Sequence, residues 1–565
     1  MRFLMRWLCL LGAVLLVALF FGEMRAQENG HPFVDVTAVS GIDTTHEAFW
    51  DGKGGDGYLG VGQAWGDYDN DGFLDLYLTG NIAENTLYKN NGDGTFSHSE
   101  WSTAVSMPAS LSGGAVWADY DNDGWRDLYV LARGENKLFR NLEGEGFEDV
   151  TKTAGVGNGR TGETATWGDY DSDGFLDLYI VNWTCEPLCE PIDFTQFQDV
   201  LYRNNGDGTF SDVSDLLVYE KLLGAGFAAS FIDYDNDLDL DLYIINDEYM
   251  NPIGNVLFRN DGEGCGSWCW TDVSEESQAD VVLSGMGIAA ADYDNDADID
   301  FYFSNMLNKF SLLENKGQVF EDRAEAAGVH FGWTDTVGWG TGFFDYNNDG
   351  WKDIYLATTG FVQEDLYLPP EGMHFPHPNY LFHNNQDGTF TDIWQGEERP
   401  SMGFAYADYD NDGFVDFVVS NWNEPYQLFH NETAVSQNWL TINLVGGGPI
   451  NRDAVGSKVL VTTTNGLQQL QVVTCGGSLG AGNDMRLHFG LGNSQIESVE
   501  VFWSDGETAV FNSVPINQQW QITYGDQETP KADERIILLI LAFLLIAGII
   551  LIFQQTNQPK SKNLK

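Results

Sequence analysis

An all-β chain, built as seven four-stranded units followed by a smaller β domain, is predicted by three features of the sequence. The first is a repeat. Asp67-Tyr68-Asp69-Asn70-Asp71-Gly72-Phe73-Leu74-Asp75 recurs from Asp119, Asp169, Asp233, Asp292, Asp345 and Asp408, at intervals of 50 to 64 residues, a period typical of solenoids and propellers. The second is the strand rhythm after each copy: a short β-type run such as Leu76-Tyr77-Leu78, then a hairpin signal in which aromatic-rich runs flank Asn-Gly-Asp-Gly. That hairpin spans Leu87 to Phe96, returns at Leu201 to Phe210 and Leu381 to Phe390, and has weaker echoes from Leu138, Leu257, Leu312 and Leu428. The third is an imbalance at the two ends of the repeat. The last unit lacks a fourth strand, and Phe33-Val34-Asp35-Val36-Thr37 near the start has the composition of one. Residues 30–433 therefore read as a seven-bladed β-propeller whose N-terminal strand completes the last blade, leaving no open edge.

Each unit takes its first strand from the run before the Asp loop (Gly60 to Trp65 in the first copy) and its second from the run leaving it. The hairpin supplies the third and fourth. Beyond the repeats, residues 436–525 alternate apolar and polar side chains, as in Val499-Glu500-Val501-Phe502-Trp503, between Gly-rich turns. That pattern predicts a small β-sandwich.

The loops carry the chemistry. Carboxylates at positions 1, 3, 5 and 9 offer hard oxygen ligands at close spacing, which suits Ca²⁺ better than the strictly octahedral, water-retaining Mg²⁺. The candidate ligands are Asp67, Asp69, Asp71 and Asp75 in loop one, and Asp119, Asp121, Asp123 and Asp127 in loop two. Loop three offers Asp169, Asp171, Asp173 and Asp177, and loop four Asp233, Asp235, Asp237 and Asp241. Loop five offers Asp292, Asp294, Asp296 and Asp300, loop six Asp345, Asn347, Asp349 and Asp353, and loop seven Asp408, Asp410, Asp412 and Asp416. Position 6 is Gly for the sharp turn, except that Leu238 and Ala297 replace it in loops four and five, where Asp239 and Asp298 add carboxylates. An EF-hand would need Glu at position 12, but Leu78 and Val130 stand there within β-runs. Up to seven structural Ca²⁺ ions are expected, each contributing about 1.4 kcal/mol at millimolar calcium and a Kd of ~10⁻⁴ M.

These units resemble the FG-GAP/VCBS repeats, the calcium-loop blades also found in integrin α-subunit propellers. Further on, Asn438-Trp439-Leu440, Asn451 to Gly456, His488-Phe489-Gly490-Leu491-Gly492 and Val501 to Gly506 resemble the ASPIC/UnbV domain. Together they match the architecture of the cartilage acidic protein 1 family. The resemblance implies a secreted or surface protein of adhesion or matrix contact, without an established activity.

Charge and the two ends bear on location. A net charge of −58 with only 27 basic residues excludes nucleic acid as a partner. Residues 1–26, basic at Arg2 and Arg6 and then apolar from Trp7 to Gly22, read as a secretory signal. Residues 526–535 read as a tether. Residues 536–553 are an uninterrupted apolar run, and 554–565 a Lys-bearing tail. That order predicts a single-pass helix with the ectodomain outside and the tail in the cytoplasm. Export makes local disulfides Cys185–Cys189 and Cys265–Cys269 plausible, leaving Cys475 unpaired.

The long insertions fall on the connections opposite the Asp loops and carry Trp183, Phe361, Tyr367, Phe375 and Trp422. Exposed aromatics there would form a face for an extracellular protein or glycan ligand. No nucleophile elbow or phosphate loop is present in the sequence, so a non-catalytic recognition or adhesion scaffold is favoured. The alternative is a polysaccharide lyase or glycosidase on the same scaffold.

Overall fold

The computed structural model describes residues 32–47, 60–108, 110–183, 198–217, 226–247, 254–306, 310–330, 336–360, 376–434 and 436–526. The fold is all-β, and among the described residues the helices are single turns such as Thr37–Ser40, Thr151–Ala154 and Ala324–Ala327. Residues 33–431 form seven antiparallel meanders of four strands, a β-propeller-like arrangement. In the first unit the strands are Gln63–Gly66, Asp75–Leu78, Thr86–Asn90 and Phe96–His98. The first strands of the later units are Leu111–Ala118, Asn158–Gly168, Gly226–Ile232, Gly285–Ala291, Thr336–Phe344 and Ser401–Ala407. Strand Asn158–Gly168 overruns its own meander to pair with Asp127–Glu135, so units two and three share a sheet. In unit seven the fourth strand is Phe33–Asp35, antiparallel to Gln427–Asn431 in the register Phe33↔Asn431.

The Asp loop joins the first and second strands of each unit. Its fourth residue turns left-handed in every copy, φ 54–63° from Asn70 to Asn411, a conformation Asn tolerates well and most side chains do not. The sixth residue is left-handed too. Leu238 (φ 77°) and Ala297 (φ 70°) hold the glycine conformation with a side chain attached, at about 1 kcal/mol each.

Units are joined by packing and by a repeated polar latch. Trp65 of the first unit stacks on Tyr409 of the last, ring centroids 6.0 Å apart, and donates through Nε1 to the Ala405 carbonyl. The third strand of every unit carries a buried Asn: Asn90, Asn141, Asn204, Asn260, Asn315, Asn384 and Asn431. Each side-chain amide donates to two backbone carbonyls, one in its own unit and one at the loop Tyr of the preceding unit. Asn204 donates to Leu176 O (3.1 Å) and Tyr120 O (2.9 Å), and Asn90 carries the pattern from the first unit to Tyr409 O of the last (2.8 Å). Buried carbonyls stripped of a donor cost about 1–3 kcal/mol apiece. Asn204→Ala is therefore expected to lower unfolding free energy by roughly 2–4 kcal/mol, whereas Asn205→Ala, one residue on and exposed, should change it by less than about 0.5 kcal/mol. Urea titrations of the two variants check this.

Residues 438–523 form two facing sheets. Asn438–Val445 pairs antiparallel with Leu487–Gly492 and parallel with Gln519–Thr523. Lys458–Thr463 lies between Gln468–Val472 and Ile496–Phe502, with Thr508–Asn512 outermost. Leu440, Ile442, Val459, Val461, Phe489, Val499 and Val501 fill the space between.

Candidate metal centres and the domain docked on them

In each loop the backbone consumes most of the carboxylate oxygens. Position 1 closes the turn: Asp67 Oδ1 accepts from Asp71 N (3.0 Å) and Oδ2 from Gly72 N (2.9 Å), and all seven copies repeat this. Position 5 accepts from the amide two residues on, as Asp71 Oδ1 does from Phe73 N (3.0 Å). Position 9, fully buried, anchors the loop to the third strand: Asp75 accepts from Tyr68 N (3.1 Å) and Asn90 N (2.8 Å). Position 3 is different. Oδ1 of Asp69, Asp121, Asp171, Asp235 and Asp294 is buried with no hydrogen-bond partner among the described residues.

Carboxylate oxygens of the same loop also lie close together. Single ligand atoms of Asp119, Asp121 and Asp127 lie within 4.8 Å of one another, as do those of Asp169, Asp171 and Asp177, of Asp233, Asp235 and Asp241, and of Asp67, Asp69 and Asp71. Burial first, and repulsion from nearby carboxylates after it, raise the pKa of Asp119, Asp169, Asp235, Asp292 and Asp294. Asp119 and Asp169 rise to about 8, Asp292 and Asp294 to about 7, and Asp235 to about 6. Asp408 rises to about 7 through burial, against the pull of Arg486. An array of buried oxygens that resists ionisation alone fits a divalent cation with hard-oxygen preference.

One feature of these sites escapes a sequence-based prediction. The third-strand residue before the latch Asn reaches back over its own loop. Lys89 pairs with Asp69 and with Asp71 (3.1 Å), Arg140 with Asp121 (2.6 Å) and Asp123 (3.0 Å), and Arg203 with Asp171 (2.5 Å) and Asp173 (3.3 Å). A basic residue before Asn in Leu87-Tyr88-Lys89-Asn90 is the signal that could have found it.

The loop face is covered by the C-terminal domain. The fourth-position Asn acts as mortar, its amide holding the next loop and its oxygen holding the domain. Asn122 Nδ2 donates to Gly174 O (2.8 Å) while its Oδ1 accepts from Arg452 N (2.7 Å). Asn348 Nδ2 donates to Gly413 O (2.8 Å) while its Oδ1 meets His488 Nε2 (2.6 Å). Asn411 Nδ2 donates to Gly72 O (3.0 Å) and its Oδ1 accepts from Arg486 (2.9 Å). Charged groups pair across the junction at position-1 residues or their neighbours: Arg126 and the Asp119 amide share Asp453, and Lys458 Nζ lies 2.6 Å from Asp233 Oδ2. A cavity of about 550 Å³ remains at this junction, bordered by Asp67, Asp119, Arg126, Arg452, Arg486 and Gln521.

The Lys458–Asp233 pair is nearly solvent-free, with side chains 4% and 1% exposed. Removing the ammonium leaves a buried carboxylate beside Asp235, at a cost of about 3–5 kcal/mol. Lys458→Met is expected to melt earlier than wild type, and by a larger margin in EGTA than in millimolar Ca²⁺. Calorimetry in both buffers checks this.

The predicted ligand face requires correction. Trp183 is 6% exposed, packs on Phe227 with centroids 4.9 Å apart, and donates to Asp247 (3.2 Å). Trp422 is 7% exposed and lies against the buried His46. Both indoles seal the unit ends because burying so large an apolar surface outweighs displaying it. Phe361, Tyr367 and Phe375 lie outside the described residues, as do Cys185 and Cys189. Cys265 and Cys269 are disulfide-bonded across a hairpin, and Cys475 is buried and free. Among the described residues no helix is long and apolar enough to cross a membrane; residues 1–26 and 536–553 lie outside them.

Comparison with known proteins adds the relatives. Residues 67–130, 119–180 and 363–419 match the FG-GAP-like repeat, and residues 447–529 match the ASPIC and UnbV family. The chain carries FG-GAP-like repeats joined to an ASPIC/UnbV domain. It is 24% identical over 392 residues to cartilage acidic protein 1 of Homo sapiens, covering 59% of each chain. It is also 24% identical over 509 residues to the Xenopus tropicalis protein of that name, covering 83% of this chain and 74% of that one. The chain thus spans less than two thirds of the human relative. Among solved structures, an Agrocybe aegerita lectin described as recognising non-reducing terminal N-acetylglucosamine aligns at a TM-score of 0.37, with 16% identity over 69% of this chain and 89% of that one. YCF48 bound to D1 peptide aligns at 0.40, with 7% identity over 72% and 97%.

Proposed function

We propose that this FG-GAP/ASPIC protein is a calcium-loaded, non-catalytic ectodomain scaffold. The seven meanders form one closed seven-bladed propeller, and the ASPIC/UnbV domain caps its loop face. Asp residues at positions 1, 3, 5 and 9 hold Ca²⁺, which gives the buried position-3 Oδ1 atoms a partner that the loop's own hydrogen bonds do not. That orphaned oxygen, found in five of the loops, is the observation that carries the reading.

With the loop face covered, recognition of a protein or glycan partner falls to the opposite face, at the far ends of strands Asp177–Asn182 and Asp353–Gly360. The kinship with cartilage acidic protein 1 supports an extracytoplasmic address, and the apolar run 536–553 supports a single-pass tether holding the scaffold near a bilayer. The carbohydrate-enzyme alternative depends on an exposed aromatic face, and burial of Trp183 and Trp422 removes two of its members. Equilibrium dialysis with radioactive Ca²⁺ tests the central claim. Binding of several ions per chain at millimolar calcium is expected; retention of none would overturn it.

A further inference from the structure

Loop seven departs from the others in a way that changes its metal chemistry. In units one to three the third-strand residue over the loop is Lys89, Arg140 or Arg203, donors that cannot ligate a metal. In unit seven that register position holds His430, with Nε2 3.1 Å from Asp410 Oδ2 and 3.8 Å from Asp412 Oδ2. Ligand atoms of Asp410, Asp412 and His430 lie within 4.8 Å of one another. His383 occupies the same position in unit six, but it pairs with the anchor Asp353 (3.0 Å), and position 3 there is Asn347, whose amide is turned to Asp349.

The second observation concerns the anchor. In loops one to six, Oδ2 of the position-9 carboxylate accepts the amide of the loop Tyr, at 3.1–3.3 Å. Asp416 is 0% exposed, its Oδ1 accepts from Asn431 N (2.7 Å), and its Oδ2 has no hydrogen-bond partner among the described residues. Asp410 is the charge acting most strongly on it. One imidazole nitrogen and oxygens of two carboxylates therefore meet at this loop, and a third carboxylate of the same loop, Asp416, keeps one buried oxygen unspent.

We propose that loop seven is a mixed nitrogen–oxygen site for a divalent transition metal of the zinc class, held by His430 Nε2, Asp410, Asp412 and the free oxygen of Asp416. Imidazole favours Zn²⁺ and its neighbours over Ca²⁺, which takes oxygen ligands almost alone. Four protein donors match the coordination of a closed structural zinc site. The site rests on the reading of these loops as cation centres, but the two can fail separately.

The test uses the full chain, stripped of metal and then saturated with millimolar Ca²⁺. Co²⁺ is titrated in and followed by its visible absorption, and Zn²⁺ is used to displace it. One equivalent of Co²⁺, displaced by Zn²⁺ but not by further Ca²⁺, is expected. His430→Lys, which restores the residue type of unit one, and His430→Gln should each weaken Co²⁺ binding by roughly tenfold or more and leave the number of bound Ca²⁺ ions at the other loops unchanged. No stoichiometric Co²⁺ binding, or equal affinity in wild type and both variants, would overturn this site while leaving the calcium reading intact. Co²⁺ binding lost on His430→Lys in a chain that holds no Ca²⁺ would sink the calcium reading and keep this one.

Discussion

Chelation of divalent metal is expected to lower the melting temperature of the protein by about ten degrees or more. Mass action at up to seven sites of Kd ~10⁻⁴ M sums to roughly 10 kcal/mol at millimolar calcium, comparable to the ~5–15 kcal/mol that holds a whole domain together. The metal-free protein should also show an unusual pH dependence. Carboxyls whose folded-state pKa is raised contribute stability that is complete below the unfolded value of about 3.8 and is lost as pH rises through the folded value. Asp119 and Asp169 titrate at about 8 and Asp292, Asp294 and Asp408 at about 7, so in EGTA the protein should melt higher at pH 5 than at pH 8. Calcium needs those groups ionised, so in millimolar Ca²⁺ the order should reverse. Calorimetry at both pH values, with and without chelator, checks this. A melting point indifferent to EGTA at pH 8 would contradict the metal role of the loops.

What was legible in the sequence was local and periodic. The Asp loops announce themselves because carboxylate spacing is set over nine residues, and the strand rhythm because a hairpin is decided over ten. Even Phe33–Asp35, far from its partner in sequence, was readable from the gap it fills beside Gln427–Asn431. The latch was not. Asn90 donates to Tyr409, 319 residues away, and nothing near Asn90 names that carbonyl. The insertion aromatics misled for a related reason: Trp183 and Trp422 sit on loop-like sequence, yet Phe227 and His46, brought close only by the fold, bury them. The His430 site needed the repeat to be superposed on itself, since a single His in a strand carries no signal until Lys89 and Arg140 are seen in the same position.

The least legible element was the segment from Cys475 to Asn483, whose glycines read as an ordinary turn. It leaves the C-terminal domain and threads among the first strands of six units. Cys475 O accepts from Trp167 N (2.9 Å), and Ser478 N donates to Ile288 O (3.0 Å) while its hydroxyl accepts from Thr341 N (3.0 Å). Gly480 N donates to Thr164 Oγ1 (2.9 Å), and its carbonyl accepts from Ala115 N (3.2 Å). Ala481–Gly482 then pairs in parallel with Gln63–Ala64, and Asn483 Oδ1 accepts from Tyr406 N (3.1 Å). Glycine is required at position 480 twice over. Its φ is +56°, and a Cβ there would stand 2.4 Å from Val61 O and 2.9 Å from Gly114 Cα, backbone atoms of two different units. Gly480→Val should therefore cost about 2–5 kcal/mol, combining the left-handed penalty for a β-branched residue with overpacking. Gly466 has φ +90° with nothing within 4 Å of its Cβ position, so Gly466→Ala should cost only about 1 kcal/mol. Because the segment ties the two domains together, the Gly480→Val loss should appear as a change in cooperativity. One calorimetric transition in the wild type is expected to split in two, with faster protease cleavage near residues 432–437. A single transition at the wild-type temperature in Gly480→Val would show that the domains are held by the loop-face contacts of Arg126, Lys458 and Arg486 alone.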